Sequence, residues 1–338
     1  MFDFIPNEYL LLAFGFLLLI KGGDWFVDAA TGIAKRFKLP ELLIGATVVS
    51  IGTTLPEVMT SVLGAVKGDG PAAFGNAIGS IICNTSLIAA LTVAIKPSTV
   101  NKKTLIFPAL FYFGAAAAFA GFSYFTGRFD RWMGIVLLVG FVVYMIINVV
   151  NMKKNPDENK ENEENLECEL PKENSVGAMI KDVAVLLGSI VVIALGAHCA
   201  VSNIGFVALS LGVPPSVVNT TILALATSLP ELITAITALM KGHGALSLGN
   251  IIGANIFNIL LVSGASITIS PFDVPADSPF MGTDASLVVT IPLAIITMLI
   301  LTVPPLIRGK LARWQGITLL AIYAAYCVFL YAVLPIFA

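Results

Sequence analysis

The chain has 338 residues, of which 57% are hydrophobic and only 12% are charged, and its formal net charge is −2. A soluble domain of this size carries about twice that share of charged residues, so the composition indicates an integral membrane protein. The slightly acidic balance provides no basic surface for nucleic acid. The four cysteines are scattered and form no CxxC pair of the kind that indicates a redox or zinc site.

Ten stretches are apolar over a length close to the 20 or so residues that a helix needs to cross a bilayer. In chain order, the predicted spans are 9–33, 41–66, 72–95, 104–125, 132–151, 182–206, 214–240, 246–269, 284–303 and 315–337. The predicted fold is therefore an all-α integral membrane protein with ten transmembrane helices.

A different kind of segment separates the fifth and sixth spans. Residues 152–177 are strongly acidic and nearly free of apolar side chains, a composition that cannot bury enough surface to fold. We interpret them as a flexible linker between a first five-helix unit, residues 1–151, and a second, residues 178–338.

The basic residues predict the orientation. With the N-terminus outside, the inside loops hold 15 Lys and Arg residues and the outside loops hold only three. Because cytoplasmic loops are enriched in Lys and Arg, both termini are predicted outside and the acidic linker in the cytoplasm. The expected location is the plasma (inner) membrane.

The two units contain a shared motif, which occupies residues 50–87 in the first and 224–261 in the second. A shift of 174 positions aligns TTLPEVMTSVLGAVKGDGPAAFGNAIGSIICNTSL with TSLPELITAITALMKGHGALSLGNIIGANIFNILL without a gap. Each unit has five spans, an odd number, so the second copy enters the membrane from the opposite side. Inverted repeats of this kind are typical of transporters that bind their substrate near the midplane.

Two acidic residues, Glu57 and Glu231, lie at equivalent positions inside the second and seventh spans. A charged side chain at the bilayer centre costs about 2.5–3.5 kcal/mol on insertion scales. Spans 2, 3, 7 and 8 contain no Lys or Arg that could neutralise these carboxylates. A bound cation is the natural counter-charge, and two carboxylates suit Ca²⁺, which takes about 6–8 oxygen ligands.

A proline precedes each glutamate and leaves the carbonyl four residues earlier without its helical N–H partner. Helices 2 and 7 are therefore predicted to break near Pro56 and Pro230, exposing carbonyl oxygens at membrane depth. Thr53 lies four residues before Glu57 and on the same helical face, and Thr227 repeats this placement before Glu231.

Polar residues at four-residue spacing form a stripe on the third and eighth spans. The members are Asn76, Ser80 and Asn84 in the first unit and Asn250, Ala254 and Asn258 in the second. Asn84 and Asn258 are interpreted as ion ligands, whereas Asn76 and Asn250 serve equally well as ligands or as hydrogen bonds between helices. The glycines in the same spans fit close helix packing.

A further group of charges, Lys21, Asp24 and Asp28, lies on the first span. The aligned positions of the second unit, Leu195, His198 and Ser202, are not equivalent. We therefore interpret the group as a structural charge network near the membrane interface.

The paired motifs, GTTLPEVMTS with GNAIGSIICN and ATSLPELITA with GNIIGANIFN, resemble the α-repeats of the sodium/calcium exchanger family within the calcium/cation antiporters. The resemblance covers nearly the whole chain and is strongest to the compact prokaryotic members. It implies exchange of Ca²⁺ for several Na⁺, with the first and sixth helices sliding past the rest. It implies no cofactor beyond the transported ions, and neither an enzymatic activity nor an obligate protein partner.

The resemblance also implies roles for individual residues. The ion-binding acids are Glu57 and Glu231, and the polar ligands on the third and eighth helices are Asn84 and Asn258. Thr53 and Thr227 would contact both ions. The further hydroxyl and carbonyl ligands for Na⁺ would be Ser50, Thr54, Ser80, Ala224 and Ser228.

Two positions depart from related sequences and keep alternatives open. Ala254 occupies the place of a serine hydroxyl that contributes to a Na⁺ site, so a proton-coupled Ca²⁺ antiporter is the alternative to Na⁺ coupling. Asn258 stands where the potassium-dependent exchangers carry Asp, which argues against K⁺ co-transport. A cation channel is a more distant alternative, disfavoured by the inverted repeat.

Overall fold

The computed structural model describes residues 7–37, 39–154, 176–211, 223–274, 279–280 and 283–334. Within these ranges, nine helices are long and apolar enough to cross a membrane, and a tenth is divided into two shorter pieces. The helices are α1 Asn7–Arg36, α2 Glu41–Val66, α3 Gly70–Ile95, α4 Lys102–Thr126, α5 Arg131–Lys154, α6 Val176–Ser210, α7 Leu223–Thr227 with Leu229–Met240, α8 Gly244–Ile269, α9 Ser286–Arg308 and α10 Arg313–Val333. The prediction of an all-α membrane protein is confirmed.

The helix bounds follow the hydropathy pattern, with α1 and α6 several residues longer than predicted. Residues 212–222, at the start of the seventh predicted span, lie outside the described residues. So do residues 155–175 of the predicted linker.

The prolines act differently in the two repeats. In α7 the helix is interrupted at Ser228, whose φ of −88° and ψ of 10° leave the helical region, and Pro230 follows in the first turn of the second piece. In α2, by contrast, the helix continues through Pro56 from Ser50 to Val66. Loss of one hydrogen bond at the Gly52 carbonyl does not end a helix that is otherwise intact, so the predicted break in helix 2 is absent.

Three helices of the repeat motifs contain a π-helical turn: Gly45–Val49 in α2, Asn84–Ala89 in α3 and Asn258–Ser263 in α8. Such turns often occur at functional sites. Serine hydroxyls complete two of them, because Ser50 donates to the Gly45 carbonyl at 2.8 Å and Ser263 donates to the Asn258 carbonyl at 2.9 Å.

Loop pairings join the two repeats at both ends of the bundle. At one end, strand β1 Arg128–Phe129 after α4 pairs antiparallel with β2 Phe272–Asp273 after α8. At the other end, Val100 after α3 donates its N–H to the Gly309 carbonyl after α9 at 2.9 Å. We name this second end, where α5 ends and α6 begins, the linker end. A small hairpin of β3 Pro279–Phe280 and β4 Thr283–Asp284 precedes α9.

Helices α1 and α6 pack on each other along their length. A Cβ atom at Gly15 would lie 2.8 Å from the Ala200 nitrogen, and one at Gly196 would lie 2.9 Å from the Gly15 carbonyl oxygen. This pair covers α2 where Gly52 meets the side chains of Phe26 and Ile190. The larger apolar cluster, by contrast, is formed by helices of the remaining bundle.

The charged residues of α1 form a network at the linker end, as predicted, but with a different cation. Lys241, in the turn between α7 and α8, lies 2.6 Å from a carboxylate oxygen of Asp24 and 2.7 Å from one of Asp28. From sequence alone, these acids are grouped with Lys21, which lies nearby on the same helix. A contact between residues more than 200 positions apart cannot be recognised from the local sequence pattern. Partial burial lowers the pKa of Lys241, but hydrogen bonds and attraction from the two carboxylates outweigh it and the pKa is raised above its usual value.

Candidate ion-binding site

The two repeat-related carboxylates are enclosed in the bundle. The side chains of Glu57 on α2 and Glu231 on α7 are completely buried, and none of their four oxygens has a hydrogen-bond partner among the described residues. The two carboxylates are close enough for their negative charges to repel each other. Glu231 stands in the first turn of its helical piece, where the N-terminal end of the helix dipole favours negative charge.

Neighbouring helices surround the carboxylates with polar groups. The hydroxyls of Thr53 and Thr54 on α2 lie beside Glu231, although neither is placed to donate a well-formed hydrogen bond to it. On α3, the thiol of Cys83 lies next to the Ser228 hydroxyl. It is also close enough to both glutamates to interact with their charges. Helices α2, α3 and α7 therefore meet at the carboxylates.

Eight buried side-chain oxygens of this region lack a hydrogen-bond donor. They belong to Glu57 and Glu231 with two each, and to Thr54, Asn84, Ser228 and Asn258 with one each. Leaving a buried oxygen unpaired costs about 1–3 kcal/mol, and more for a carboxylate. Carboxylate, amide and hydroxyl oxygens are the ligands that hard cations such as Ca²⁺ and Na⁺ prefer, so one or more bound cations would remove this cost.

Other predicted ligands hold α2 against α8. The Ser50 hydroxyl shares its single hydrogen between the Gly45 carbonyl and the Asn250 backbone carbonyl, which lies 3.0 Å away, and the Thr53 hydroxyl donates to the Asn250 amide oxygen at 3.1 Å. The Asn250 amide nitrogen donates to Thr234 at 3.1 Å. Asn250 thus forms hydrogen bonds between helices, which is the second of the two roles predicted for it.

Asn76 also joins two helices, in the first repeat, but through different contacts. Its amide nitrogen donates to Ser61 at 2.8 Å and to the Glu57 carbonyl at 3.3 Å. Through its nitrogen, Asn76 thus contacts the backbone of Glu57.

The glycines next to these asparagines allow α2 and α8 to touch. A Cβ atom at Gly249 would lie 2.1 Å from the Leu42 carbonyl oxygen, and one at Gly253 would lie 2.2 Å from the Ser50 hydroxyl. The repeat-equivalent glycines of α3 differ, since no described atom lies within 4 Å of a Cβ built at Gly75 or Gly79. The described residues therefore bear out the packing interpretation for Gly249 and Gly253, whereas residues 212–222, which align with the α2 segment that these two glycines meet, lie outside them.

The remaining predicted ligands also lie on the four motif helices. Ser80 is buried on α3, and Ala254 is fully buried at the equivalent position of α8, where no hydroxyl is available. Thr227 is nearly buried at the end of the short piece Leu223–Thr227, which also contains Ala224. Over the described ranges no cluster of three His, Cys, Asp or Glu residues occurs, so a resident metal centre is not indicated there.

One residue that sequence reasoning did not select contacts a predicted ligand directly. Asn255 on α8 accepts a hydrogen bond from the Asn84 amide nitrogen at 3.2 Å, although it lies beside the polar stripe rather than on it. The only sequence signal is that Ile81 occupies its equivalent position in the first repeat.

Comparison with known proteins agrees with this geometry. The family model for the sodium/calcium exchanger protein matches residues 7–150 and 181–332. The sodium/calcium exchanger MaX1 of Methanosarcina acetivorans is 30% identical over 97% of this chain and 99% of its own length. An uncharacterised membrane protein of Methanocaldococcus jannaschii is 33% identical over 93% of this chain and 94% of its own length.

A solved structure of the sodium-calcium exchanger NCX_Mj, soaked with Na⁺ and Sr²⁺, superimposes with a TM-score of 0.76 at 29% identity. It covers 95% of this chain and 98% of its own. The family and the fold are those of transporters, not of enzymes. The chain therefore belongs to the sodium/calcium exchanger family.

Proposed function

We propose that the protein is a secondary active antiporter that exchanges Ca²⁺ for Na⁺ by alternating access. The observation that carries the proposal is the pair of fully buried carboxylates, Glu57 and Glu231, whose four oxygens have no hydrogen-bond partner in the parts of the chain that the structure describes. Ionisable side chains inside a membrane protein are costly and mark pathways for ions, protons or substrates. The family membership and the likeness to NCX_Mj support the same conclusion.

Each predicted ligand has a place in this proposal. Glu57 and Glu231 hold Ca²⁺ together with the free amide oxygens of Asn84 and Asn258. Na⁺ ions occupy the same cavity and use the surrounding hydroxyl and carbonyl oxygens. These come from Ser50, Thr53, Thr54 and Ser80 in the first repeat, and from Ala224, Thr227 and Ser228 in the second. Ser50 and Thr53 already hydrogen-bond to α8, so they contribute only through their remaining lone pairs.

Charge neutralisation couples the two fluxes. An empty site would carry two uncompensated carboxylates through a low-dielectric barrier, which costs several kcal/mol per ion. The site therefore changes its access only when Ca²⁺ or a load of Na⁺ neutralises it. After the site releases Ca²⁺ on one side of the membrane, it can return only with Na⁺ bound, and the reverse also holds. The result is net exchange of the two ions.

The proposed arrangement in the membrane follows the sequence. The repeats, residues 1–151 and 178–338, are inverted with respect to each other, and the linker end faces the cytoplasm because it contains most of the Lys and Arg residues. Both termini then lie on the outer side of the plasma (inner) membrane. The proposal requires the lipid bilayer but no obligate protein partner.

In this proposal the moving element is the pair of α1 and α6, and its contact with α7 closes the linker end. There, Gly23 of α1 packs against Ile233 of α7, where a Cβ atom would lie 3.0 Å from the Ile233 side chain. The equivalent residue on α2, Met59, is 60% exposed. The Lys241 ion pairs with Asp24 and Asp28 reinforce the closed contact.

Replacing Lys241 with Met is expected to favour the state that is open at the linker end. The apparent Ca²⁺ affinity should rise on the cytoplasmic face and fall on the opposite face, each by up to about fivefold, the size expected for a partly exposed ion pair. The measurement is Ca²⁺ uptake in vesicles of defined orientation, titrated from each side.

The matched control is Lys67→Met. Lys67 is the repeat-equivalent lysine, and among the described residues it forms no ion pair. The Lys67→Met variant should leave the apparent Ca²⁺ affinity unchanged on both faces. Equal affinity shifts in the two lysine variants would contradict the proposed role of the Lys241 ion pairs. A Lys241→Met shift of the same sign on both faces would contradict it as well.

The direct test of the function is Ca²⁺ flux in proteoliposomes with Na⁺, K⁺ and H⁺ gradients imposed separately. We expect a Na⁺ gradient to drive Ca²⁺ uptake with the pH gradient collapsed, and a K⁺ gradient to have no effect. Uptake driven by H⁺ alone would favour the proton-coupled alternative, which the missing hydroxyl at Ala254 supports. Uptake that needs no counter-ion gradient would instead indicate a channel.

A further inference from the structure

We infer that Asn255 is a positioning residue that fixes the orientation of Asn84 and so presents the Asn84 amide oxygen to the transported ion. The inference rests on the proposed function, since it concerns a ligand of the proposed site. Asn255 and Asn84 lie on different helices, are both fully buried, and are joined by the 3.2 Å hydrogen bond from the Asn84 nitrogen to the Asn255 oxygen.

The orientation of Asn255 is determined by its other neighbours. Its amide nitrogen lies 2.7 Å from the Thr85 hydroxyl and 3.3 Å from the Met298 sulfur. A thioether sulfur accepts hydrogen bonds but cannot donate them, so the nitrogen rather than the oxygen of Asn255 must face Met298. The Asn255 oxygen therefore faces Asn84 and can only accept.

The orientation of Asn84 follows from that of Asn255. To pair with an acceptor, Asn84 must turn its nitrogen toward Asn255, which leaves its oxygen on the other side of the amide. That oxygen is buried and has no donor within reach. A reversed amide would place two oxygens against each other and turn an N–H₂ group toward a cation, so the hydrogen bond selects the ion-binding orientation before the ion arrives.

The second repeat lacks this device. Ile81 stands where the repeat would place a partner for Asn258, and within the described part of the chain neither amide atom of Asn258 has a hydrogen-bond partner. The two asparagines are thus not equivalent: Asn84 is held as an oxygen ligand, whereas Asn258 is free to turn. Partners that orient a metal ligand typically contribute about 10–100-fold in metal affinity.

The test measures equilibrium Ca²⁺ binding and Ca²⁺ uptake for Asn255→Leu. Leucine is similar in size to asparagine, and it is apolar like Ile81, the residue at the equivalent position of the first repeat. We expect the apparent Ca²⁺ affinity to fall about tenfold or more, with the maximal uptake rate changed by less than about threefold. The decisive step is a double-mutant cycle with Asn84→Ala. If Asn255 acts through Asn84, Asn255→Leu should cause little further loss in the Asn84→Ala protein.

Two further variants keep the inference testable if Asn255→Leu does not fold. Thr85→Val removes the hydroxyl that orients Asn255 and should lower the Ca²⁺ affinity in the same direction by a smaller factor. Met298→Leu keeps the volume but removes the sulfur acceptor that determines which amide atom of Asn255 faces it, so it should also lower the Ca²⁺ affinity by a smaller factor than Asn255→Leu. Additive losses in the cycle, or an unchanged affinity in both Asn255→Leu and Thr85→Val, would overturn the inference, whereas absence of Ca²⁺ binding by the wild-type protein would instead overturn the proposed function.

Discussion

Replacing Glu57 or Glu231 with Gln is expected to reduce Ca²⁺ transport by at least about 100-fold, because removing one partner of a buried ionic contact costs about 3–5 kcal/mol. The side chain keeps its size, and the protein loses an unpaired buried charge, so folding should be preserved or improved. The measurement combines Na⁺-driven Ca²⁺ uptake with the thermal transition of the purified protein. A loss of uptake with an unchanged or higher transition temperature supports the site.

Glu41→Gln provides the matched control for these variants. Glu41 also lies on a motif helix, at its start, but its carboxylate lies at the linker end and contacts His243 at 2.8 Å. Its replacement should leave uptake within a few-fold of the wild-type rate. Near-normal transport by either Glu57→Gln or Glu231→Gln would remove the basis for placing the ions between these acids.

Gly249→Ala is expected to destabilise the protein strongly. The added methyl group would lie 2.1 Å from the Leu42 carbonyl oxygen, a backbone atom that can move only if the whole of α2 moves away from α8. Overpacking of this kind typically costs about 1–3 kcal/mol. We expect a lower thermal transition and reduced Ca²⁺ uptake, since α2 carries Glu57.

The repeat offers a paired comparison in Gly75→Ala. Gly75 is the equivalent glycine of α3, and no atom of the described residues lies within 4 Å of the position that its added methyl group would take. This variant should retain its stability or gain a little from the higher helix propensity of alanine. An unchanged thermal transition in Gly249→Ala would show that the close α2–α8 contact does not require a glycine there.

Much of the fold could be predicted because the membrane restricts the choices. Apolar length alone located the spans, since a backbone in lipid must satisfy its hydrogen bonds within each helix. The aligned motifs also selected Glu57, Glu231, Asn84 and Asn258, whose side chains the structure buries with unpaired oxygens. Their roles as ligands remain predictions that the experiments above test.

The parts that sequence did not predict depend on contacts between distant residues. The pairing of Asp24 with Lys241 spans 217 positions, and the orientation of Asn84 by Asn255 spans 171. The continuity of α2 through Pro56 was also missed, because the cost of one lost hydrogen bond is decided by how the rest of the helix is packed. Periodicity records which face of a helix is polar, but not which partner that face meets.

The loop pairings at the two ends of the bundle restrict how the protein can change shape. Arg128 and Phe129 are joined to the second repeat at one end, and Val100 is joined to it at the other, so a rocking of one half against the other would have to tear backbone hydrogen bonds at both ends. Neither pairing includes α1 or α6. In the proposed exchange cycle we therefore expect the eight other helices to move little relative to one another, while α1 and α6 slide across them as a pair.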